Sequence, residues 1–238
     1  MYIASIIICI AAMAVLLPVY LKAIKPGHTV KTLIMKGTLS LLFFGIGMIS
    51  AFGFGNPSSE FAKLMLGGFA LSFVGDLLLH RDKGMVKYVF GGVAFLIAHV
   101  GFICAYIFAS KKILPGQPFM TKGQIIALVI LWAAVIALFV AFKPNFKKLA
   151  PVIVLYSAVL MFMVVKAGYL GLLLMNSGAE NGTAALILLA GGAGSFALSD
   201  AILGISFFTK PTYGKKAANV VFYYIGQIML ALSLAFVK

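Results

Sequence analysis

Five ionisable side chains interrupt the long apolar runs of this sequence: Lys36, Asp76, His99, Lys166 and Asp200. A charged side chain in the middle of a membrane span costs about 2.5–3.5 kcal/mol on insertion scales, so such residues usually mark a functional site. Two carboxyl groups can divide acid–base catalysis between them, one as a proton donor and one as a carboxylate. We therefore take Asp76 and Asp200 as the candidate catalytic pair.

The elements that must position these side chains are membrane-spanning helices. The sequence is 63% hydrophobic and only 10% charged over 238 residues, whereas a soluble domain is about half apolar. Each apolar run has about the 20 residues needed to cross the hydrocarbon core. We predict an all-α polytopic transmembrane helix bundle that forms a single domain over residues 1–238. The eight predicted spans are Tyr2–Leu21, Thr32–Phe52, Phe61–His80, Met85–Ala109, Gly123–Phe142, Leu149–Met175, Thr183–Phe208 and Ala217–Val237.

The net charge of +14 lies in short basic loops between the apolar runs. A nucleic-acid-binding protein needs a basic face on a soluble module, so we expect no nucleic-acid partner. Twelve cations in the odd-numbered loops against five on the other side predict cytoplasmic odd loops and both termini outside. We expect the protein to lie in the plasma membrane. The twelve are Lys22, Lys25, Lys31, Arg81, Lys83, Lys87, Lys143, Lys147, Lys148, Lys210, Lys215 and Lys216, and the five are Lys63, Lys111, Lys112, Lys122 and Lys238.

Polar groups of several predicted spans lie at a similar depth near the cytoplasmic side. At 1.5 Å of rise per residue, Asp76 lies about one turn and Asp200 about two turns from the cytoplasmic ends of their spans. Tyr223 and Gln227 are four residues apart, and therefore share one face of the eighth span. The pattern predicts one buried site toward the cytoplasmic leaflet. The residues expected to support it are Lys36, Tyr156, Ser157, His99, Tyr223 and Gln227.

These residues also have purely structural interpretations. Asp76 can pair with Lys36, and Asp200 with tyrosine hydroxyl groups, only to stabilise the helix bundle. His99 can form an interhelical hydrogen bond instead of lining a site. Lys166 lies near the outer end of the sixth span, and we expect its ammonium group to extend to the membrane surface.

A short internal similarity relates the two aspartates. The pair Gly67–Gly68 precedes Asp76 at the same distance as the pair Gly191–Gly192 precedes Asp200. The two segments fall in the third and seventh spans, and a duplicated four-helix unit would place both aspartates on the same membrane side. We therefore predict a possible 4+4 internal repeat, with chance similarity in a glycine-rich chain as the alternative.

We expect neither a cofactor nor a metal site. Of the three histidines, His28 and His80 lie in a loop or at the edge of a span, which leaves no convincing set of metal ligands. The sequence also lacks the motifs of serine hydrolases, P-loop NTPases and zinc proteases.

Six short segments, in order from the second span to the eighth, form one pattern. They are KGTL at 36–39, VGDLLL at 74–79, the segment from Gly91 to His99, YS at 156–157 with Met161, FALSD at 196–200 and YYIGQ at 223–227. Together they resemble the YhhN-like lysoplasmalogenase family of eight-span membrane proteins. Gly92 and Phe102 depart from this resemblance, because a larger apolar residue and a tyrosine are expected at these positions.

The resemblance implies an integral-membrane hydrolase that cleaves the vinyl ether bond of lysoplasmalogens. The products are a fatty aldehyde and glycerophosphoethanolamine or glycerophosphocholine, and the partners are the lysophospholipid substrate and membrane lipids. A vinyl ether is hydrolysed by protonation at carbon, followed by capture of an oxocarbenium ion by water. As in glycosidases, this chemistry suits one carboxylic acid and one carboxylate.

In this hypothesis Asp76 and Asp200 are the acid–base pair, with their individual roles left open. Lys36 tunes one of the acids or holds the lipid phosphate. The groups that orient water or the headgroup are Tyr156, Tyr223 and Gln227.

Two other classes of protein compete with the hydrolase. A proton-coupled transporter could use Asp76 and Asp200 as a proton relay, and a 4+4 repeat would suit alternating access. No span is clearly broken by Gly or Pro at its midplane, however, and both acids lie near one face. A lipid-binding or scaffold protein is the third possibility, in which both acids are dispensable.

Overall fold

The structure is a computed structural model that describes residues 1–80, 85–143, 150–210 and 212–237, with the side chains of 85–88 excluded. The described residues contain eight α-helices and no strand, which confirms the predicted all-α bundle. The helices are α1 (Tyr2–Ala23), α2 (Val30–Gly53), α3 (Glu60–Leu79), α4 (Met85–Ile113), α5 (Lys122–Phe142), α6 (Ala150–Asn176), α7 (Gly182–Phe208) and α8 (Tyr213–Ser233).

The predicted spans coincide with these helices to within four residues at every described end. The largest differences are at α4, which continues past Ala109 to Ile113, and at α8, which begins at Tyr213 and ends at Ser233. Hydropathy locates the apolar centre of a helix, whereas backbone hydrogen bonding continues into polar residues such as Lys111. Leu149, the predicted start of the sixth span, lies outside the described residues.

Hydroxyl side chains cap the start of three helices. Thr29 accepts a hydrogen bond from the backbone nitrogen of Thr32 at the start of α2, and the two residues form a reciprocal capping box. Ser59 caps α3 by accepting from the backbone nitrogen of Ala62, and Thr121 caps α5 by accepting from the nitrogen of Gln124. Such caps satisfy backbone N–H groups that have no partner within the helix, so they fix where each helix begins.

Among the described residues, seven helices, α1 to α7, are long and apolar enough to cross a membrane. Almost none of the apolar length of α1 and α5 is buried inside the protein. Isoleucine and valine side chains such as Ile8, Ile126 and Val129 are instead more than half exposed. Water is a poor solvent for such a surface and lipid is a good one, so the chain is a multi-pass membrane protein.

The α8 helix is less apolar than the others. Its apolar residues are interrupted by Asn219, Tyr223, Tyr224 and Gln227, and the last three of these are buried.

The eighth crossing, the orientation of the termini and the plasma membrane location stay predictions. Of the cations used to predict orientation, the side chains of Arg81, Lys83, Lys87, Lys147, Lys148 and Lys238 lie outside the described residues.

The chain forms two compact units. Unit 1 comprises residues 1–105 and 227–238, and unit 2 comprises residues 106–226. Unit 1 thus contains α1 to α3 with the first part of α4 and the last part of α8. In its core Gly47 lets α2 approach α3, since a Cβ there would lie 3.1 Å from the ring of Phe69. In unit 2 Gly171 allows α6 the same approach to α7 at Leu186.

Candidate catalytic site

Asp76 lies on α3 in unit 1 and is 2% exposed. Ser40 Oγ donates a hydrogen bond of 2.6 Å to its Oδ2 atom. Lys36 Nζ lies 3.0 Å from its Oδ1 atom and forms an ion pair. Each carboxylate oxygen therefore has a charged or hydroxyl partner from α2, which offsets the cost of burying the charge.

The sequence predicted the pairing of Lys36 with Asp76 as a structural possibility, but it did not single out Ser40. A signal for Ser40 was present, because residues four apart lie on the same face of a helix. Lys36 and Ser40 have this spacing, so a carboxylate that meets one on a neighbouring helix also meets the other.

Asp200 lies half-buried on α7 in unit 2. The hydroxyl group of Tyr156, on α6, donates a hydrogen bond of 2.5 Å to its Oδ2 atom. Ser157, the next residue on α6, is also half-buried. Tyr223 of α8 packs against the ring of Phe196, with 5.4 Å between ring centroids, so this tyrosine lies one helical turn from Asp200 along α7.

The segment that carries Asp200 is also tied to α8. Asn219 Nδ2 donates hydrogen bonds to the carbonyl oxygen of Ser199 at 2.9 Å and to its Oγ atom at 2.8 Å. About two turns further along α8, Gly226 allows a close approach to α7, because a Cβ there would lie 2.8 Å from the backbone nitrogen of Phe196. These contacts hold the part of α7 that directly precedes Asp200 against α8.

Contacts between α3 and α4 recur between α7 and α8 at an offset of 124 residues, which is the offset from Asp76 to Asp200. The 4+4 repeat stays a prediction, and this common register is an observation in its favour. The corresponding contacts are Gly68 with Phe102 and Gly192 with Gly226, then Gly75 with Phe95 and Ser199 with Asn219.

The structure brings the predicted residues together in two groups. Asp76 meets Lys36 in unit 1, and Asp200 meets Tyr156 in unit 2. That the two carboxyl groups act as one pair stays a prediction. Of the other supporting residues, the fully buried His99 and Gln227 belong to unit 1, and Ser157 and Tyr223 belong to unit 2.

The structure gives Lys166 partners within the protein, and its expected extension to the membrane surface stays a prediction. Its side chain is buried, with 5% exposed. Its ammonium group donates to the carbonyl oxygen of Phe119 and to Oε1 of Gln124. These two acceptors replace the water that the ammonium group would otherwise seek at the interface.

The two departures from the family pattern have different surroundings. The ring of Phe102 is fully buried and occupies the space beside Gly68, which has no side chain of its own. A phenyl ring in this position needs no hydrogen-bond partner, whereas a buried tyrosine hydroxyl group would need one. At Gly92 nothing lies within 4 Å of where a Cβ would be, so the space beside it is open.

Over the described ranges, no three His, Cys, Asp or Glu side chains come together in a group that could hold a metal ion. The comparison with curated proteins finds no match, and neither does the comparison with solved structures. The comparison with protein families does find one. The model of the YhhN family matches residues 28–234, and because this match covers most of the chain, the protein belongs to the YhhN family.

Proposed function

We propose that the protein is a membrane lipid hydrolase that cleaves the vinyl ether bond of lysoplasmalogens, as its resemblance to the YhhN-like lysoplasmalogenases implies. The observation that carries the proposal is that both intramembrane aspartates are fixed by a hydroxyl group of the preceding helix. Ser40 donates to Asp76, and Tyr156 donates to Asp200. Two oriented carboxyl groups are what an acid–carboxylate mechanism requires.

The contacts of Asp76 suit the role of the carboxylate. The ammonium group of Lys36 forms an ion pair with it, and such a partner balances the negative charge of a carboxylate. An ionised carboxylate cannot protonate the substrate, but it can stabilise a nearby cation and accept a proton from water. Asp200, which is half-buried and therefore more accessible, takes the role of the acid.

The reaction then balances as follows. Asp200 protonates the vinyl carbon that is not bonded to oxygen, and the other vinyl carbon becomes part of an oxocarbenium ion. Water adds to that carbon and loses a proton to the carboxylate of Asp76. The resulting hemiacetal breaks its bond to the glycerol oxygen, which leaves as an alcohol while the former vinyl chain leaves as an aldehyde. One water molecule is consumed, and solvent returns the proton from Asp76 to Asp200.

The remaining residues support this chemistry. Because Lys36 is bound to Asp76, we assign it to the carboxylate and not to the lipid phosphate. Tyr156 orients Asp200, and Tyr223 and Gln227 orient water or the headgroup. The substrate is a lysophospholipid that enters from the surrounding membrane lipids, and the reaction needs no cofactor.

Helix continuity favours the hydrolase over the transporter. Transporter sites commonly use helices that are interrupted near the midplane. The helices that carry the two acids, Glu60–Leu79 and Gly182–Phe208, are each continuous.

The test is aldehyde release from lysoplasmenylethanolamine by the detergent-purified protein. We expect Asp76→Asn and Asp200→Asn each to lower the turnover about 100-fold or more, since general acid–base groups contribute about 10²–10⁴-fold. Glu60→Gln is the matched control, because it makes the same acid-to-amide change at a side chain that is 62% exposed. Full turnover in either aspartate variant would contradict the assignment of that residue.

The same preparation distinguishes the competing classes. A folded wild-type protein that releases no aldehyde but moves protons and a solute across proteoliposomes would be a transporter. A protein that binds lysolipid equally well with and without the two aspartates would be a scaffold.

A further inference from the structure

The hydroxyl group of Ser40 lies within hydrogen-bond reach of two different acceptors in unit 1. Its Oγ atom is 2.6 Å from Oδ2 of Asp76 on α3, and 3.0 Å from the backbone carbonyl oxygen of Lys36, one turn earlier on α2. The ammonium group of Lys36 pairs in turn with Oδ1 of Asp76. The three residues therefore form one closed network, in which Ser40 joins a backbone carbonyl group to a carboxylate.

The hydroxyl group of Ser40 has only one hydrogen for these two acceptors, and its oxygen can also accept a hydrogen bond. The shorter of the two distances, to Asp76, is typical of a hydroxyl group that donates to an ionised carboxylate. The carbonyl group of Lys36 does not depend on this hydrogen. In the regular pattern of a helix such as α2 it also accepts from the backbone N–H group of Ser40. The hydrogen can therefore turn from one acceptor to the other without leaving the carbonyl oxygen unpaired.

We propose that Ser40 is a positioning residue whose hydroxyl hydrogen changes acceptor whenever Asp76 gains or loses a proton. When Asp76 is ionised, Ser40 donates to Oδ2. When Oδ2 carries a proton, the carboxylic acid donates to Oγ of Ser40, and the hydroxyl hydrogen of Ser40 turns to the carbonyl oxygen of Lys36. The contact between Oγ and Oδ2 is a hydrogen bond in both states, and only hydrogens move between them.

Burial gives this exchange its importance. Ser40 is fully buried and Asp76 is 2% exposed, so solvent does not replace a partner that either group loses. A buried donor or acceptor without a partner is costly. A serine that could donate only to the carboxylate would have its hydrogen directed at the proton of the acid once Asp76 is protonated. The spacing of four residues between Lys36 and Ser40 supplies the second acceptor that removes this conflict.

The inference rests on the proposed function in one respect, namely that Asp76 accepts a proton from water and later returns it to solvent. Each turnover then passes through both hydrogen-bond arrangements. Ser40 contacts Asp76 and acts through it. Its loss therefore slows the step in which Asp76 takes up a proton, and leaves the binding of the lysolipid unchanged.

The first measurement compares kcat and KM for aldehyde release in three serine and threonine variants. We expect Ser40→Ala to lower kcat about tenfold with KM unchanged, as for the loss of one hydrogen bond to a charged group. Ser72→Ala is the matched control, because Ser72 is fully buried one turn before Asp76 on α3, and its Oγ atom has no hydrogen-bond partner among the described residues. Thr38→Ala removes a comparable bond, from Thr38 to the carbonyl group four residues earlier on α2, at an exposed side chain. Both controls should keep the turnover of the wild type.

The second measurement does not depend on hydrolysis. Infrared difference spectra of the folded, detergent-purified protein between neutral and acidic pH record the carbonyl bands of protonated carboxyl groups. The band that is missing from Asp76→Asn belongs to Asp76. We expect this band to lie at higher frequency in Ser40→Ala, because the acid has lost the hydrogen bond to Oγ, and to keep its position in Ser72→Ala. If Ser40→Ala does not fold, Ser40→Cys takes its place, since a thiol is only a weak donor and acceptor.

The two measurements separate this inference from the proposed hydrolysis. A wild-type protein that releases aldehyde, with the same kcat in Ser40→Ala, would leave the hydrolysis standing and overturn the role of Ser40. A wild-type protein that releases no aldehyde, but whose Asp76 band moves in Ser40→Ala, would overturn the hydrolysis and support the exchange. The exchange is wrong if the Asp76 band is the same in Ser40→Ala as in the wild type, or if the folded protein shows no such band at acidic pH.

Discussion

Lys36 and Asp76 form an ion pair between α2 and α3, with 3.0 Å between Nζ and Oδ1. Their side chains are 14% and 3% exposed, so water solvates neither charge well enough to replace the ion pair. Removing one member of such a pair leaves the other charge buried and uncompensated. The pair is therefore a stabilising contact as well as a part of the proposed site.

For Lys36→Met we expect the free energy of unfolding to fall by about 3 kcal/mol, the cost of leaving a buried charge unpaired. Denaturant unfolding of the purified protein measures this. Lys63→Met is the control, because its partner Glu60 is exposed, and such a surface pair contributes only about 0.5 kcal/mol. Adding Asp76→Asn to Lys36→Met should recover part of the loss. An unaltered stability in Lys36→Met would show that the pair contributes nothing.

Tyr156→Phe removes the hydroxyl group that donates to Asp200. We expect aldehyde release to fall about tenfold or more if Tyr156 orients the acid, with a loss of about 1 kcal/mol in stability from one hydrogen bond. Tyr2→Phe makes the same change at a side chain that is 44% exposed and should leave the turnover unchanged. Equal turnover in both variants would remove Tyr156 from the proposed site.

Two adjacent glycines of α3 provide a matched test of packing. A Cβ on Gly68 would collide with the ring of Phe102, whereas a Cβ on Gly67 would have nothing within 4 Å. We expect Gly68→Ala to destabilise the protein by about 1–3 kcal/mol through overpacking. Gly67→Ala should be neutral or stabilising by up to about 1 kcal/mol, because Ala favours the helix.

A second change checks the cause of this effect. Phe102→Leu replaces the ring that faces Gly68 with a smaller side chain. The double variant Gly68→Ala/Phe102→Leu should therefore be more stable than Gly68→Ala alone. A double variant that loses the sum of both single effects would place the strain elsewhere.

The side of the membrane on which the chain ends after α8 tests the predicted topology. If all eight helices cross the membrane, the N-terminus and the C-terminus lie on the same side. Fusions of alkaline phosphatase and of green fluorescent protein at Lys238 report the side, since the first is active only outside and the second fluoresces only inside. We predict an active phosphatase and a dark fluorescent protein. The opposite result would place the C-terminus in the cytoplasm and contradict the predicted orientation.

Much of the helical framework follows from local patterns in the chain. Runs of about 20 apolar residues and the loops between them located all eight helices to within four residues. The two aspartates were found because charges are rare in such runs. Ser40 was missed because a serine in a helix is common, and only its distance from a carboxylate on another helix makes it significant.

The sequence by itself determined that this chain forms apolar helices with two intramembrane acids, because length, hydropathy and charge are properties of each segment alone. Only the tertiary structure decided which partners those charges have. Lys166 shows the difference: its acceptors lie 47 and 42 residues away in the chain, at Phe119 and Gln124. A long side chain in a membrane helix can reach the surface or a neighbouring helix at similar cost. The packing of the helices determines which of the two it does.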